Sequence, residues 1–310
     1  MMVEKPKVIV IIGPTSSGKS DLAVEIAKRF KGEVVSADSR QVYKGLDIGS
    51  GKITKKEMKG VPHHLLDIAS PKTTFTVAKY KRFAEKKIEE VLQRHKLPII
   101  CGGTGFYIDS LIYDWKIPEV PPQPKIRKRL AKKSTVELFK MLSELDPERA
   151  KAVDRNNRVR LMRALEIVIT TGETIPRLEL FRVKSSNYDF MKIGIKLPTE
   201  KLKKRISKRI IKRLGQGMIK EIDKLHNPPT GRGVTWKKLD SFGLEYRYVS
   251  RYLRNLISYE VLIDTLEKES SRYAKRQMTW FNRDRNTIWI NDPRKAFSVV
   301  RGFLGLEVLP

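Results

Sequence analysis

Eight consecutive residues, Gly13-Pro14-Thr15-Ser16-Ser17-Gly18-Lys19-Ser20, spell the pattern G-x-x-x-x-G-K-[ST]. Each position has a chemical use. The glycines permit a tight turn, successive backbone amides point inward, and the helix that follows offers its positive end to an anion. Lys19 neutralises phosphate oxygens, and the Ser20 hydroxyl can ligate a magnesium ion. The run therefore reads as a diphosphate- or nucleotide-binding loop with Mg2+ as its expected cofactor. Asp38 is the second candidate, at the end of Val34-Val35-Ser36-Ala37-Asp38-Ser39. Strand ends on one side of a parallel sheet converge on the ligand crevice, so this carboxylate can face the loop. Three roles are open to it: general base toward an acceptor, second-shell partner of magnesium, or cap of a turn. A further strand-like run ends in Cys101-Gly102-Gly103-Thr104, with no acid where a motor ATPase carries its Walker-B aspartate. That absence weakens the ATPase and GTPase readings and leaves group transfer from a di- or triphosphate. His63 and His64 are adjacent, point in different directions and make a poor metal pair. Cys101 reads as a small core residue.

These residues need a frame that brings them together. Val8-Ile9-Val10-Ile11-Ile12 is an uninterrupted β-branched run, the mark of a strand buried on both faces of a parallel sheet. Apolar residues then recur at helical spacing from Lys19 to Phe30. A second strand is expected over Glu33–Ala37, a long helix over Thr76–Arg94, and a third strand over Pro98–Cys101. Strand–helix–strand alternation implies an α/β phosphate-loop domain, a parallel sheet flanked by helices. Pro118, Pro121, Pro122 and Pro124 mark a linker, and charged helical segments continue to about Arg182. Asp189–Leu197 reads as a strand returning to the sheet, and Asn286–Asn291 as one more. The expected organisation is a first core part over 1–114, a mainly helical inserted domain over 115–185, and a return to the core over 186–310.

The chain carries 64 Lys and Arg against 35 Asp and Glu in 310 residues, a formal net charge of +29. Such an excess points to a polyanionic partner. From Lys201 to Arg213 eight of thirteen residues are basic and none is acidic. Leu202, Ile206, Ile210 and Leu214 fall four apart as a buried stripe, while Lys201, Arg205, Lys208 and Lys212 share another. Lys125, Arg127, Lys128, Arg129, Lys132 and Lys133 form a second cluster. One-signed stripes favour a phosphate-backbone surface over a merely solvated helix. Lys275-Arg276-Gln277-Met278-Thr279-Trp280-Phe281 interleaves cations with aromatics, as a surface for unpaired bases does. A single cysteine excludes an internal disulfide framework and a Cys-based zinc cluster. No run approaches the ~18 apolar residues of a membrane span, and no signal-peptide pattern opens the chain. A cytoplasmic protein without membrane contact or an obligate protein partner is expected.

With these pieces in order, the chain resembles the tRNA dimethylallyltransferases, also called tRNA isopentenyltransferases. The matching blocks are Gly13–Ser20, Asp38–Lys52, Gly60–Asp67, Gly102–Tyr107, the segment around Arg158, Arg160 and Glu166, Arg205-Ile206 with Arg209 and Gly217, and Lys275–Phe281. The second and fourth are far more discriminating than the phosphate loop. The resemblance implies transfer of a dimethylallyl group from dimethylallyl diphosphate to the exocyclic amine of the adenosine 3′ to a tRNA anticodon. It implies that Asp38 accepts the amine proton, that Thr15 lines the site with Lys19, and that Arg205 and Arg209 close over the diphosphate, with either free to make the contact. Asp38, Ser39, Arg40, Gln41, Thr104, Arg127, Arg158, Arg160, Lys275, Arg276, Gln277 and Trp280 match positions that hold the tRNA anticodon stem-loop. One block departs from the family pattern: Ser241-Phe242-Gly243-Leu244-Glu245-Tyr246-Arg247 has two residues inserted after the glycine. The zinc finger of eukaryotic members is absent, so the compact bacterial form is the nearer likeness.

Three other readings share parts of the pattern. A small-molecule phosphate-loop kinase would have the loop and the acid but no use for +29. A prenyltransferase acting on free AMP or ADP would keep Asp38 but not need the basic insertion. An RNA-binding protein without catalysis would explain the charge and leave the loop unexplained.

Overall fold

The structure is a computed structural model that describes residues 4–176 and 187–306. Contacts divide the chain into two compact units, residues 1–112 with 185–310, and residues 113–184. The expected helical reach to Arg182 and the junction near 185 lie outside the described residues.

The larger unit opens with β1 (Lys7–Ile12), α1 (Lys19–Arg29) and β2 (Gly32–Ser36). Then come α2 (Lys55–Met58), β3 (His63–His64), α3 (Val77–Gln93), β4 (Leu97–Gly102) and α4 (Gly105–Ile112). Thr76 caps α3 by accepting the Lys79 amide at 3.2 Å, which is why that helix starts where its apolar period does. The smaller unit holds α5 (Pro124–Leu130), α6 (Thr135–Leu145), α7 (Pro147–Ala152) and α8 (Arg158–Thr171). The chain returns with β5 (Asp189–Ile195), α9 (Thr199–Gly215), α10 (Met218–His226), α11 (Trp236–Phe242) and α12 (Leu244–Leu253). It closes with α13 (Tyr259–Phe281), β6 (Ile288–Ile290) and α14 (Lys295–Phe303).

Among the described residues six parallel strands lie in the order β3-β2-β4-β1-β5-β6. The continuous apolar runs are buried as such runs in a parallel sheet must be, with Val8 to Ile12 fully inaccessible. The one strand the sequence reading missed is β3, where His63 and His64 pair beside Val34 and Val35. Two residues are too few to show an alternating pattern. Their ring nitrogens go separate ways, His63 Nδ1 to the Val61 carbonyl at 2.8 Å and His64 Nε2 to Glu33 at 2.7 Å. β1 sits between β4 and β5, in register Ile9 with Ile99 and Ile9 with Met191. The order puts β4 between the strand that leads to the phosphate loop and the strand that leads to Asp38.

One apolar core packs α1 and α14 against the sheet around Ile9, Ile26, Ile193 and Val300. A second, around Leu46, Ile206, Ile210, Tyr246 and Leu266, unites α9 to α13 with the segment after β2. A polar group sits inside this unit as well. Lys192 of β5 donates to Asp284 at 2.5 Å and lies 3.6 Å from Asp109, which accepts the Trp280 indole at 2.7 Å.

In the smaller unit Leu130, Leu138, Leu142, Leu161 and Leu165 form the core. Its fully buried Glu166 accepts two bonds from Arg127, at 2.6 and 2.8 Å, one from Arg163 at 2.6 Å and one from the Gln123 amide at 2.7 Å. No described helix is long and apolar enough to cross a membrane.

Candidate active site

The loop from Gly13 to Ser20 runs from β1 into α1. Gly18, in the left-handed conformation at φ 94°, precedes the helix and turns the chain so that α1 begins at Lys19. Amides in the first turn of a helix have no intrahelical acceptor, so the start of α1 offers its donors to the cavity, whereas the Ser17 amide of the loop is taken by the Pro14 carbonyl at 3.2 Å. The loop closes on a cavity of about 240 Å³, also lined by Asp38, Gln41, Gly102, Arg209 and Arg213. Phosphate loop and carboxylate thus share one space, with the side-chain-free end of β4 beneath it.

Asp38 uses its two oxygens differently. Oδ1 accepts the amides of Arg40 at 2.8 Å and Gln41 at 3.3 Å, which caps the turn after β2. Oδ2 has no hydrogen-bond partner among the described residues. The capping role and a catalytic role are therefore compatible. Ser39 donates its amide to Thr104 Oγ1 at 3.0 Å, and Gln41 Nε2 donates to the Gly51 carbonyl at 3.2 Å. Arg40 turns toward α11, its guanidinium 5.9 Å over the Phe242 ring.

The arginines of α9 answer which residue of the basic helix reaches the loop. Arg205 Nη1 donates to the Ser17 carbonyl at 3.1 Å, so it braces the loop backbone. Arg209 lines the cavity, and its Nε is buried without a partner among the described residues, as is the hydroxyl of Ser16, another lining residue. Arg213, which the sequence reading did not single out, is also buried at the cavity wall. It bonds Glu245 at 3.2 Å and the Gly49 carbonyl at 3.4 Å. The signal for it was present: Arg205, Arg209 and Arg213 are four apart, a stripe of forked donors distinct from the exposed lysines. Glu245, in the block that departs from the family pattern, supplies the counter-charge.

The electrostatics fit an anion. Burial pulls the Lys19 ammonium below the ordinary lysine range, with the Asp38 carboxylate opposing. Burial and the adjacent Arg213 charge push Arg209 down to about 10, again opposed by Glu245 and Asp38. Crowded, dehydrated cations gain most from a bound polyanion. Burial lifts the Cys101 thiol to about 12, which leaves it a protonated core residue at neutral pH. Magnesium needs one or two protein oxygens when phosphates supply the rest. The Ser20 hydroxyl, at the cavity, can supply such an oxygen, and no cluster of three or more His, Cys, Asp or Glu able to hold a metal occurs among the described residues.

The remaining expected contact residues divide by unit. Lys275 and Arg276 are exposed on α13, whereas Gln277 is buried and Trp280 is half-buried on Asp109. In the smaller unit Arg160 is exposed at the start of α8. Arg158 donates to the Ala131 carbonyl at 2.8 Å, and Arg127 is held by Glu166. These last two, read as tRNA contacts, are engaged inside the helical unit.

A sequence model described as IPP transferase matches residues 41–284. A tRNA dimethylallyltransferase of Acetivibrio thermocellus is 41% identical over 289 residues, covering 92% of this chain and 91% of that protein. The crystal structure of the full-length tRNA isopentenylpyrophosphate transferase from Bacillus halodurans superposes with a TM-score of 0.69 at 35% identity, over 97% of this chain and 96% of that one. A eukaryotic dimethylallyltransferase acting on tRNA shares the fold, with a TM-score of 0.77 at 24% identity over 98% of this chain and 81% of that one. With more than half the chain matched by the family model and relatives of this identity along nearly all of it, the chain belongs to the IPP transferase family.

Proposed function

We propose that this chain transfers a dimethylallyl group from dimethylallyl diphosphate to the exocyclic amine of the adenosine 3′ to a tRNA anticodon. The observation that carries the reading is one cavity lined both by Asp38, whose Oδ2 has no hydrogen-bond partner among the described residues, and by the buried cations Lys19 and Arg209. In the transfer, the allylic C–O bond breaks and pyrophosphate leaves. The carbon forms a bond to the adenosine nitrogen, and the displaced amine proton goes to Asp38 Oδ2. Allylic ionisation becomes easy once the leaving group is neutralised, which the amides at the start of α1, Lys19 and Arg209 do. Thr15 belongs to the same loop wall. A magnesium ion on Ser20 would supply further neutralisation of the leaving oxygens. Exposed Lys275, Arg276 and Arg160, with the exposed cations of α5, are assigned to the RNA backbone.

The deciding experiment incubates the protein with labelled dimethylallyl diphosphate and unmodified tRNA, with AMP and labelled ATP as controls. Label in tRNA alone supports the reading. Label in AMP, or phosphate transferred from ATP, overturns it.

A further inference from the structure

Gln277 is buried, with 5% of its surface accessible, yet it lies 262 residues along the chain from the loop it touches. Its Oε1 accepts the Thr15 amide at 2.8 Å. Its Nε2 donates to the Gly103 carbonyl, also at 2.8 Å. The next residue, Thr104, receives the Ser39 amide on its hydroxyl at 3.0 Å and donates its own amide to the Ala37 carbonyl at 3.2 Å. Ala37 and Ser39 flank Asp38. One side-chain amide therefore connects the phosphate loop, the end of β4 and the turn that carries the carboxylate. The fit is tight. A Cβ on Gly103 would stand 2.3 Å from Gln277 Nε2, so only glycine leaves room for the amide.

We propose that Gln277 is a positioning residue that sets the spacing between the diphosphate cradle and Asp38. This deepens the proposed prenyl transfer and rests on it. The physical case is that a side-chain amide carries its acceptor and its donor on separate atoms, so it can accept from one backbone N–H and donate to a carbonyl of another loop at the same time. Both backbone groups are buried, and each would be left unsatisfied without it. Gln277 thus holds two loops from different strands in one register, where a misplacement of about 1 Å costs about a hundred-fold in rate. The side chain faces inward, which separates it from the exposed Lys275 and Arg276 beside it.

The test measures inorganic pyrophosphate affinity, tRNA affinity, single-turnover transfer and melting temperature for wild type, Gln277→Met, Gly103→Ala and the double variant. Wild type that fails to bind pyrophosphate or transfer the prenyl group sinks the proposed function itself, before any variant is compared. Given an active wild type, Gln277→Met should weaken pyrophosphate binding by about ten-fold and slow transfer by about ten- to a hundred-fold, with tRNA affinity within about three-fold. Gly103→Ala pushes the same amide aside from the other end and should give the same split. Because both act through one bridge, the double variant should lose little more than either single. Normal pyrophosphate affinity and transfer in Gln277→Met, a loss confined to tRNA affinity, or additive losses in the double variant would each overturn the inference. Should Gln277→Met fail to fold, unchanged pyrophosphate affinity in Gly103→Ala overturns it alone.

Discussion

Asp38 shows how one carboxylate holds a turn and still faces a substrate. Its Oδ1 takes the Arg40 and Gln41 amides, so a substitution that keeps that oxygen keeps the turn. Asp38→Asn should leave melting within about 0.5 kcal/mol of wild type. It should also cut single-turnover transfer by roughly a hundred- to ten-thousand-fold, the range for a positioned acid–base group. Asp38→Ala should add a stability loss of about 1 kcal/mol from the missing cap. Near-normal turnover in the Asn variant would take Asp38 out of the mechanism. Most of these residues could be read without coordinates. The phosphate loop and Asp38 are local patterns, and short-range patterns survive in sequence. Arg213 and Gln277 were less legible because their meaning lies in partners, Glu245 and Thr15, far away along the chain.

At the scale of elements, α9 carries three functions on three faces. Ile206 and Ile210 are buried in the core, Arg205, Arg209 and Arg213 face the loop and cavity, and lysines such as Lys204, Lys208 and Lys212 face water. Spacing alone put Arg205 in one stripe with the lysines, whereas in the structure it donates to the Ser17 carbonyl; only the family resemblance set Arg205 and Arg209 apart. Strand positions were legible because β-branched runs are contiguous, and their ends differ by a residue or two where caps decide. In the smaller unit, α8 is tied to α5 through Glu166. Burial alone would raise this carboxyl, but the bonds from Arg127, the Gln123 amide and Arg163 hold it at about 2. A depressed carboxyl contributes stability above its unfolded value of 4.5, and the contribution is lost as pH falls through about 2. Glu166→Gln should therefore cost on the order of 2–3 kcal/mol at pH 7 and remove the acid-dependent part of unfolding between those values. Acid and denaturant titrations monitored on the helical unit's signal check this. An unchanged acid limb would assign the acid sensitivity elsewhere.

The charge belongs to the whole molecule. An excess of +29 with exposed Lys125, Lys128, Arg129 and Lys132 on and after α5 gives a surface that binds by releasing counterions. With roughly six to ten phosphate contacts, tRNA affinity should fall about a thousand-fold or more between about 50 and 200 mM salt. Reversing Lys128, Arg129 and Lys132 to Glu should weaken binding at every sequence and flatten the log–log slope by about two or more. A salt dependence already flat in the wild type would detach the charge from RNA. Composition revealed this property because it sums over residues and needs no geometry. The sheet has a consequence of a different kind, in time. β1 pairs with β5, Lys7 against Asp189, and the Thr15 amide waits for Gln277. Contacts at such separations form late, since the loop-closure entropy must be met first. The helices of the smaller unit meet neighbours close in sequence and can close while synthesis continues. Until β5 emerges, β1 presents an open strand edge, the kind of template on which chains aggregate. A chain ended before α13 carries the phosphate-loop sequence without its geometry, so the pocket waits on residues made more than two hundred and fifty positions after the loop itself.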